Sequence, residues 1–151
     1  MQRLWNVYLS GEIHSGWRDE IAAAVSEREI PVRLMGPELD HATSDACGET
    51  ILGAETEPFW RDHKAAKLNA IRTRSVMQNC DVVVVRFGDK YRQWNAAFDA
   101  GQAAAWGKSV ITLHDASLDH ALKEVDAAAL AVARTPAQVI DVLAYVTSRP
   151  F

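Results

Sequence analysis

The segment Asp81-Val82-Val83-Val84-Val85-Arg86-Phe87 decides the fold class. Its apolar residues form an unbroken run instead of alternating with polar ones, and valine favours extended backbone. An uninterrupted run of this kind is typical of a strand that is covered on both faces, which is the situation in parallel sheets flanked by helices. The segment therefore predicts a parallel sheet with helices on both sides.

Predicted strands and helices alternate outward from this run. Short apolar runs that end at turn residues indicate strands, and apolar residues at helical spacing indicate helices. Ser15 is expected to cap the first helix, and Thr135 with Pro136 marks the start of the last one. Strands are expected at 4–9, 31–35, 81–87, 109–113 and 130–133, and helices at 16–29, 59–79, 95–106 and from 135, with a weak helical piece before the fifth strand.

This order predicts one domain over residues 1–151. Its fold class is α/β, a three-layer α/β/α sandwich with a five-stranded, mainly parallel sheet of the Rossmann-like or flavodoxin-like kind. The stretch from Gly36 to Pro58 is rich in turn residues and is long for a loop in a compact domain. It is expected to be a lid or binding loop, or to contain short elements of its own.

Composition excludes several classes of function. Of the 151 residues, 48% are hydrophobic and 24% are charged, with a formal net charge of −4, which argues against general binding of nucleic-acid backbone. No window approaches the ~20 apolar residues that span a bilayer, so no membrane association is expected. Cys47 and Cys80 form no paired motif, and His14, His41, Asp45 and His63 follow no metal-ligand spacing. We expect a cytoplasmic protein that needs neither a metal nor a cofactor.

Polar residues are concentrated in the loops that leave the predicted strands. Ligands bind at that edge in open parallel sheets. The first such loop, Gly11 to Arg18, joins a strand to a helix start through glycines, which suits a phosphate, and Arg18 could add a bidentate contact. The alternative is an ordinary strand-to-helix turn. Trp94 and Tyr91 could stack on a base, or could pack in the core.

Several motifs carry a resemblance to a known family. They include Tyr8-Leu9-Ser10-Gly11, the Asp81 to Val85 run and Asn95-Ala96-Ala97-Phe98-Asp99-Ala100-Gly101. Together they resemble the nucleoside 2-deoxyribosyltransferase superfamily. Gly11-Glu12-Ile13-His14, Trp17-Arg18-Asp19, Trp60-Arg61-Asp62 and Gln93-Trp94-Asn95 are more similar to its YtoQ branch.

The resemblance implies a set of site residues. Asp99 falls on the position of the carboxylate nucleophile, and Tyr8 on that of a tyrosine that holds the nucleophile by a hydrogen bond. An aspartate that simply faces solvent is the alternative. Related nucleotide hydrolases seat a 5′-phosphate on the first loop, and related enzymes complete their pockets with a second subunit, so a homo-oligomer is expected; Phe151 at the end of the sequence is also apolar. The candidate substrate-binding residues are Gly11, Glu12, Ile13, His14, Gly16, Arg18, Asp81, Trp94 and Asn95.

Two functions remain open on the sequence. The first is cleavage or transfer at the N-glycosidic bond of a nucleoside or nucleoside 5′-monophosphate, which needs a carboxylate beneath the anomeric carbon. The second is a non-catalytic module that binds or senses a nucleotide on the same fold. A phospho-acceptor receiver domain is disfavoured, because Arg86-Phe87 and not an aspartate close the central strand.

Overall fold

The computed structural model describes residues 3–148, so the expectation about Phe151 lies outside the described residues. Strands and helices alternate, as the sequence predicts. The strands are β1 (Trp5–Gly11), β2 (Val32–Met35), β3 (Val82–Phe87), β4 (Ser109–His114) and β5 (Ala131–Ala133). The α-helices are α1 (Trp17–Glu27), α2 (His41–Leu52), α3 (Pro58–Gln78), α4 (Trp94–Ala105), α5 (Lys123–Ala128) and α6 (Pro136–Thr147).

The five strands form one parallel sheet in the order β2-β1-β3-β4-β5. β3 is central: Val84 lies opposite Leu9 of β1 on one side and Ile111 of β4 on the other. Residues 82–85 are at most 4% exposed. The prediction from the valine run is therefore confirmed, since a strand inside a parallel sheet is covered on both faces by helices.

Alternate residues of each strand enter separate cores on the two faces of the sheet. Val7 and Leu9 pack with α1 and α6, whereas Tyr8 packs with α4 and the end of α3. This period of two is a property of extended backbone. It matters for function, because it turns every second residue of β1 toward α4.

The stretch from Gly36 to Pro58 contains a helix that the sequence analysis left unspecified. Asp40 caps α2, its side chain accepting a hydrogen bond from the amide of Thr43 at 3.1 Å. Gly48 is buried against α3, where a Cβ would lie 2.6 Å from the amide nitrogen of Ala65. Close packing on α3 therefore requires glycine at position 48 of α2.

The start of the last helix agrees with the sequence prediction. The side chain of Thr135 accepts a hydrogen bond from the amide of Gln138 at 3.3 Å, with Pro136 at the first helical position.

Within residues 3–148, no helix combines the length and the apolar character needed to cross a membrane.

Candidate functional site

Two cavities meet at Asp99, beside the carboxyl ends of the strands. Asn95 and Pro37 also line both of them. The helix-side cavity has a volume of about 390 Å³ and the loop-side cavity about 410 Å³. The helix-side cavity is lined further by Tyr8, Ser44, Asp45, Asp62, Ala65, Ala66, Asn69, Ala70, Thr73, Arg74, Phe98 and Gln102. The loop-side cavity is lined further by Gly11, Glu12, Ile13, His14, Glu38, His41, Tyr91, Arg92, Gln93, Trp94 and Ala96.

The sequence of α4 turns Asp99 toward the sheet. Ala96, Ala100 and Ala103 bury one face of the helix, and Asp99 lies beside that face. Because alanines leave little bulk between helix and sheet, the carboxylate reaches β1, where its Oδ2 accepts a hydrogen bond of 2.6 Å from the hydroxyl of Ser10. Burial raises the pKa of Asp99, and the Ser10 hydrogen bond opposes that rise. The alternative of an aspartate that simply faces solvent is thus excluded.

Tyr8 does not hold Asp99 in the way that was predicted. Both side chains line the helix-side cavity, but the hydrogen bond to Asp99 comes from Ser10, and the buried hydroxyl of Tyr8 makes none within residues 3–148. Burial raises the pKa of Tyr8 to about 12, although the neighbouring Thr73 side chain opposes the rise. The prediction that Tyr8 is the hydrogen-bonding partner is wrong, because Ser10, two residues further along the same face of β1, provides the hydroxyl that donates to Asp99.

The loop after β1 is built around the carboxylate of Glu12. Its two oxygens accept hydrogen bonds from the amide of His14 and the hydroxyl of Ser15. Glu12 is 6% exposed, and Arg86 lies beside it, with 3.3 Å between the guanidinium Nε and the carboxylate. The expected capping of α1 by Ser15 is also wrong, since the Ser15 hydroxyl donates to Glu12 and the N-cap is Gly16. The donors of the loop after β1 therefore bind a carboxylate of the same loop, that of Glu12.

Arg18 stabilises the loop after β1 through hydrogen bonds to backbone carbonyls. Its guanidinium donates to the backbone carbonyls of Leu9 at 3.2 Å, Gly11 at 3.3 Å and Glu12 at 2.6 Å. Burial lowers the pKa of Arg18 to about 10, so that it stays protonated at neutral pH. The side chain lines neither cavity at Asp99. The structure therefore does not support the predicted contact between Arg18 and a phosphate, because the N–H groups of the guanidinium donate to backbone carbonyls.

Aromatic rings form one wall of the loop-side cavity. The ring of His14 lies 4.7 Å from that of Tyr91 and 5.7 Å from that of His41, between centroids. Trp94, the first residue of α4, is 71% exposed, and the guanidinium of Arg92 lies 5.8 Å from its ring centroid. Trp94 is therefore not a core residue, and its indole face is accessible to a ligand.

The helix-side cavity brings in residues that the sequence analysis did not assign to the site. Thr73, Asn69 and Arg74 come from α3, and Gln102 comes from α4. Asn69 also donates to the carbonyl oxygen of Ser44 at 3.1 Å, which ties α2 to α3. No short motif signals this set, because the lining residues of α3 are spread over its length, about two per turn between Asp62 and Arg74. Ser10 could have been found, since alternation places it on the same face as Tyr8.

Asp81 lies at the opposite edge of the sheet from the two cavities. It precedes β3, pairs with Arg3 and accepts a hydrogen bond of 2.8 Å from the amide of Asn6. Its proposed part in substrate binding is wrong, because the carboxylate joins the amino ends of β1 and β3. The remaining candidates Gly11, Ile13 and Asn95 line the loop-side cavity, whereas Gly16, the N-cap of α1, does not.

A second cluster of polar side chains is satisfied internally. His114 is buried, and its Nε2 lies 2.9 Å from Oδ2 of Asp126. The hydroxyl of Thr112 donates a hydrogen bond of 2.7 Å to Asp126. One ligating atom each of His114, Asp119 and Asp126 lies within 4.8 Å of the others, a spacing that suits a metal. Arg134, however, pairs with Asp119, its guanidinium donating at 3.2 Å. The cluster therefore joins β4 to α5 by hydrogen bonds.

A family model and a protein of Bacillus subtilis are both similar to this chain over most of its length. A family model described as nucleoside 2-deoxyribosyltransferase YtoQ matches residues 8–147. The chain is 42% identical over 139 residues to a protein of Bacillus subtilis strain 168 named uncharacterized protein YtoQ, covering 92% of this chain and 94% of that protein.

Solved structures agree on the fold. A conserved protein from Enterococcus faecalis V583 superimposes with a TM-score of 0.67 at 14% identity, over 95% of this chain and 99% of that one. A 2-deoxyribosyltransferase from Bacillus psychrosaccharolyticus superimposes with a TM-score of 0.54 at 14% identity, over 90% of each chain. At such low identity the likeness extends to the fold alone.

Proposed function

Since the chain belongs to the nucleoside 2-deoxyribosyltransferase YtoQ family, we propose that it cleaves or transfers at the N-glycosidic bond of a nucleoside or nucleoside 5′-monophosphate, with Asp99 as nucleophile. The observation that carries this proposal is the position of Asp99 at the junction of two cavities, where its carboxylate is oriented by Ser10. A nucleoside bound with its anomeric carbon at this point has one cavity for the base and one for the remainder of the sugar.

The reaction then proceeds in two displacements. One carboxylate oxygen of Asp99 attacks C1′ while the C1′–N bond breaks, and the departing base keeps the bonding electrons and takes a proton from water in the open cavity. The sugar is left as an ester of Asp99. Water, or a second base, then attacks C1′ and frees the carboxylate, which gives hydrolysis or transfer respectively.

The hydrogen bond from Ser10 leaves Asp99 free to react. It uses Oδ2, so that Oδ1 has no hydrogen-bond partner among the described residues and can face the sugar. Burial strengthens electrostatic interactions within the cavity and makes the carboxylate less well solvated than a surface aspartate. Both effects suit a nucleophile at an anomeric centre that gains positive charge.

The experiment is a base-release screen with the purified protein. Pyrimidine and purine nucleosides, their 2′-deoxy forms and their 5′-monophosphates are incubated with it, and free base is measured by chromatography. We expect release from at least one compound and a loss of at least ~1,000-fold in Asp99→Asn. Asp141→Asn is the matched control, because this aspartate is exposed on α6 and pairs with Arg28, far from the two cavities in the fold.

The same screen separates the two classes of function. Activity that survives unchanged in Asp99→Asn contradicts the proposed nucleophile. Absence of base release from every compound, together with measurable nucleotide binding by calorimetry, supports a non-catalytic binding or sensing module instead.

A further inference from the structure

The loop-side cavity contains two histidines beside the proposed nucleophile. When a C1′–N bond breaks, the base nitrogen keeps the bonding electrons and has to be protonated. His14 and His41 line the loop-side cavity together with Asp99, whereas no histidine within residues 3–148 lines the helix-side cavity. Since histidine is the side chain that most often transfers protons near neutral pH, the departing base is expected on the loop side.

The ring of His14 is held by its neighbours while both of its nitrogens stay free. Its centroid lies 4.7 Å from that of Tyr91 and 5.7 Å from that of His41. Neither ring nitrogen makes a hydrogen bond to another residue of the part of the chain that the structure describes. The ring of His114 differs, because its nitrogens are used within the protein. The nitrogens of His14 are therefore available to a ligand or to water.

Glu12 fixes the backbone that carries this ring. Its carboxylate accepts a hydrogen bond from the amide of His14, and its side chain is packed beneath the loop after β3, where a Cβ at Gly88 would lie 2.6 Å from Cγ of Glu12. A buried glutamate at 6% exposure is thus the anchor of an exposed histidine. A proton donor needs such a fixed position relative to the reacting atoms.

The other titratable or charged side chains of the loop-side cavity come from three segments. They are Glu12 from the loop after β1, Glu38 and His41 from the start of α2 and the residues before it, and Tyr91, Arg92 and Asp99 from α4 and the loop before it. Since His14 is itself exposed, water can bring protons to its ring and remove them.

Trp94 gives a base in this cavity a surface to stack on. Its side chain is 71% exposed and lines the loop-side cavity at the first position of α4. Asp99 follows five residues later in the same helix, which is about 7.5 Å along the helix axis. One nucleoside can span that separation, with its base against the indole and C1′ at the carboxylate. The base then lies in the cavity that His14 lines.

We propose that His14 is the general acid of the reaction, an inference that rests on the proposed function. As the C1′–N bond breaks, its electron pair moves to the base nitrogen and Asp99 forms the ester bond to C1′. The His14 imidazolium gives up an N–H proton, which reaches the base through one water of the cavity. In the second displacement the neutral ring takes a proton from the attacking water or base, while the electrons of the ester bond return to Asp99.

The test compares nucleosides whose bases do and do not need a proton, in a single turnover that reports only the first displacement. On the best neutral nucleoside of the base-release screen, His14→Gln should lower the rate by about 100-fold or more and remove the basic limb of the pH profile. The second substrate is the positively charged N-methyl counterpart with the same sugar: 7-methylguanosine, 1-methyladenosine or 3-methylcytidine. Its base departs as a neutral molecule without taking a proton, so His14→Gln should cleave it within about threefold of the wild-type rate.

His63→Gln is the matched control. Its ring packs on Phe59 and Trp60 and lines neither cavity at Asp99, so both substrates should react at wild-type rates.

Three results overturn the inference alone. They are an equal loss on both substrates in His14→Gln, an unchanged rate on the neutral nucleoside, and a loss confined to the neutral nucleoside that appears in His41→Gln instead. Wild type that cleaves the neutral nucleoside but not its charged counterpart also overturns it. Absence of base release from every nucleoside overturns the proposed function and the inference with it.

Discussion

The hydroxyl of Ser10 donates a hydrogen bond of 2.6 Å to Oδ2 of Asp99, across a separation of 89 positions in the sequence. One partner lies at the end of β1 and the other on α4, so the contact depends on the packing of helix against sheet. It opposes the effect of burial on the Asp99 carboxyl. The hydrogen bond therefore orients the carboxylate and limits the rise of its pKa.

Ser10→Ala should shift the pH dependence of base release. Without the hydrogen bond, burial acts unopposed and the pKa of Asp99 rises further. Because the ionised form is the nucleophile, the acidic limb of the kcat profile moves to higher pH, and kcat above that limb falls about tenfold. Ser10→Thr keeps a hydroxyl at the position and should restore most of the rate. An identical profile in Ser10→Ala would show that the contact has no part in catalysis.

Asp99→Asn should stabilise the protein at neutral pH. The folded pKa of Asp99 is raised above its unfolded value, so its favourable contribution is present below the unfolded pKa and is lost as pH rises through the folded pKa. The neutral amide avoids that loss. Urea unfolding should give a gain of about 1 kcal/mol at pH 7 and none at about pH 3. A variant that is less stable than wild type at neutral pH would contradict this reasoning.

The chain's sequence predicts the sheet well because the evidence for it is local. The valine run of β3, the Thr135 cap and the alternation of elements each depend on neighbouring residues, and each is confirmed.

The helix α2 could not be predicted in this way, because its packing depends on a distant part of the chain. Thr43, Ser44 and Gly48 are weak helix formers, and the helix exists because Gly48 fits against Ala65 across an interface that only the folded chain creates.

Predictions about the candidate site also divide into those that depend on local sequence and those that depend on packing. The family resemblance identifies Asp99 as the nucleophile, and the structure places it where two cavities meet. The resemblance implies Tyr8 as its partner, whereas the structure shows Ser10. Both lie on the same face of β1, and the choice between them depends on how α4 packs against the sheet. The sequence predicts an anion-binding loop that includes Glu12, because sequence alone does not show that the Glu12 carboxylate accepts hydrogen bonds from the loop's own donors.

Tyr8→Phe should leave stability equal to or above that of wild type. The buried hydroxyl makes no hydrogen bond within the described part of the chain, so its removal relieves a desolvation cost of about 1 kcal/mol. Since Asp99 is held by Ser10, base release should fall far less than in Ser10→Ala. Thermal unfolding and kcat measure the two effects. A loss of activity as large as that in Ser10→Ala would restore the direct role for Tyr8.

Gly48→Ala should separate α2 from α3. The added methyl would lie 2.6 Å from the Ala65 nitrogen and from Cβ of Lys64, so the helices must move apart at a cost of about 1–3 kcal/mol. Gly101→Ala is the control, because open space surrounds that position within α4 and alanine favours a helix by about 0.5–1 kcal/mol. Urea unfolding should show opposite signs for the two variants. Equal effects would mean that the α2–α3 interface is not tightly packed.

Arg18→Ala should destabilise the protein without changing how salt affects ligand binding. The guanidinium donates to the carbonyls of Leu9, Gly11 and Glu12, and its loss leaves partly buried acceptors without partners, at about 2–3 kcal/mol. A phosphate-binding arginine has a different signature, because its removal reduces the dependence of nucleotide affinity on salt concentration. Arg18→Lys should recover little stability, since one ammonium cannot reproduce the planar fork of donors. If Arg18→Ala is as stable as wild type and its nucleotide affinity no longer varies with salt, the side chain contacts phosphate and the bracing role is wrong.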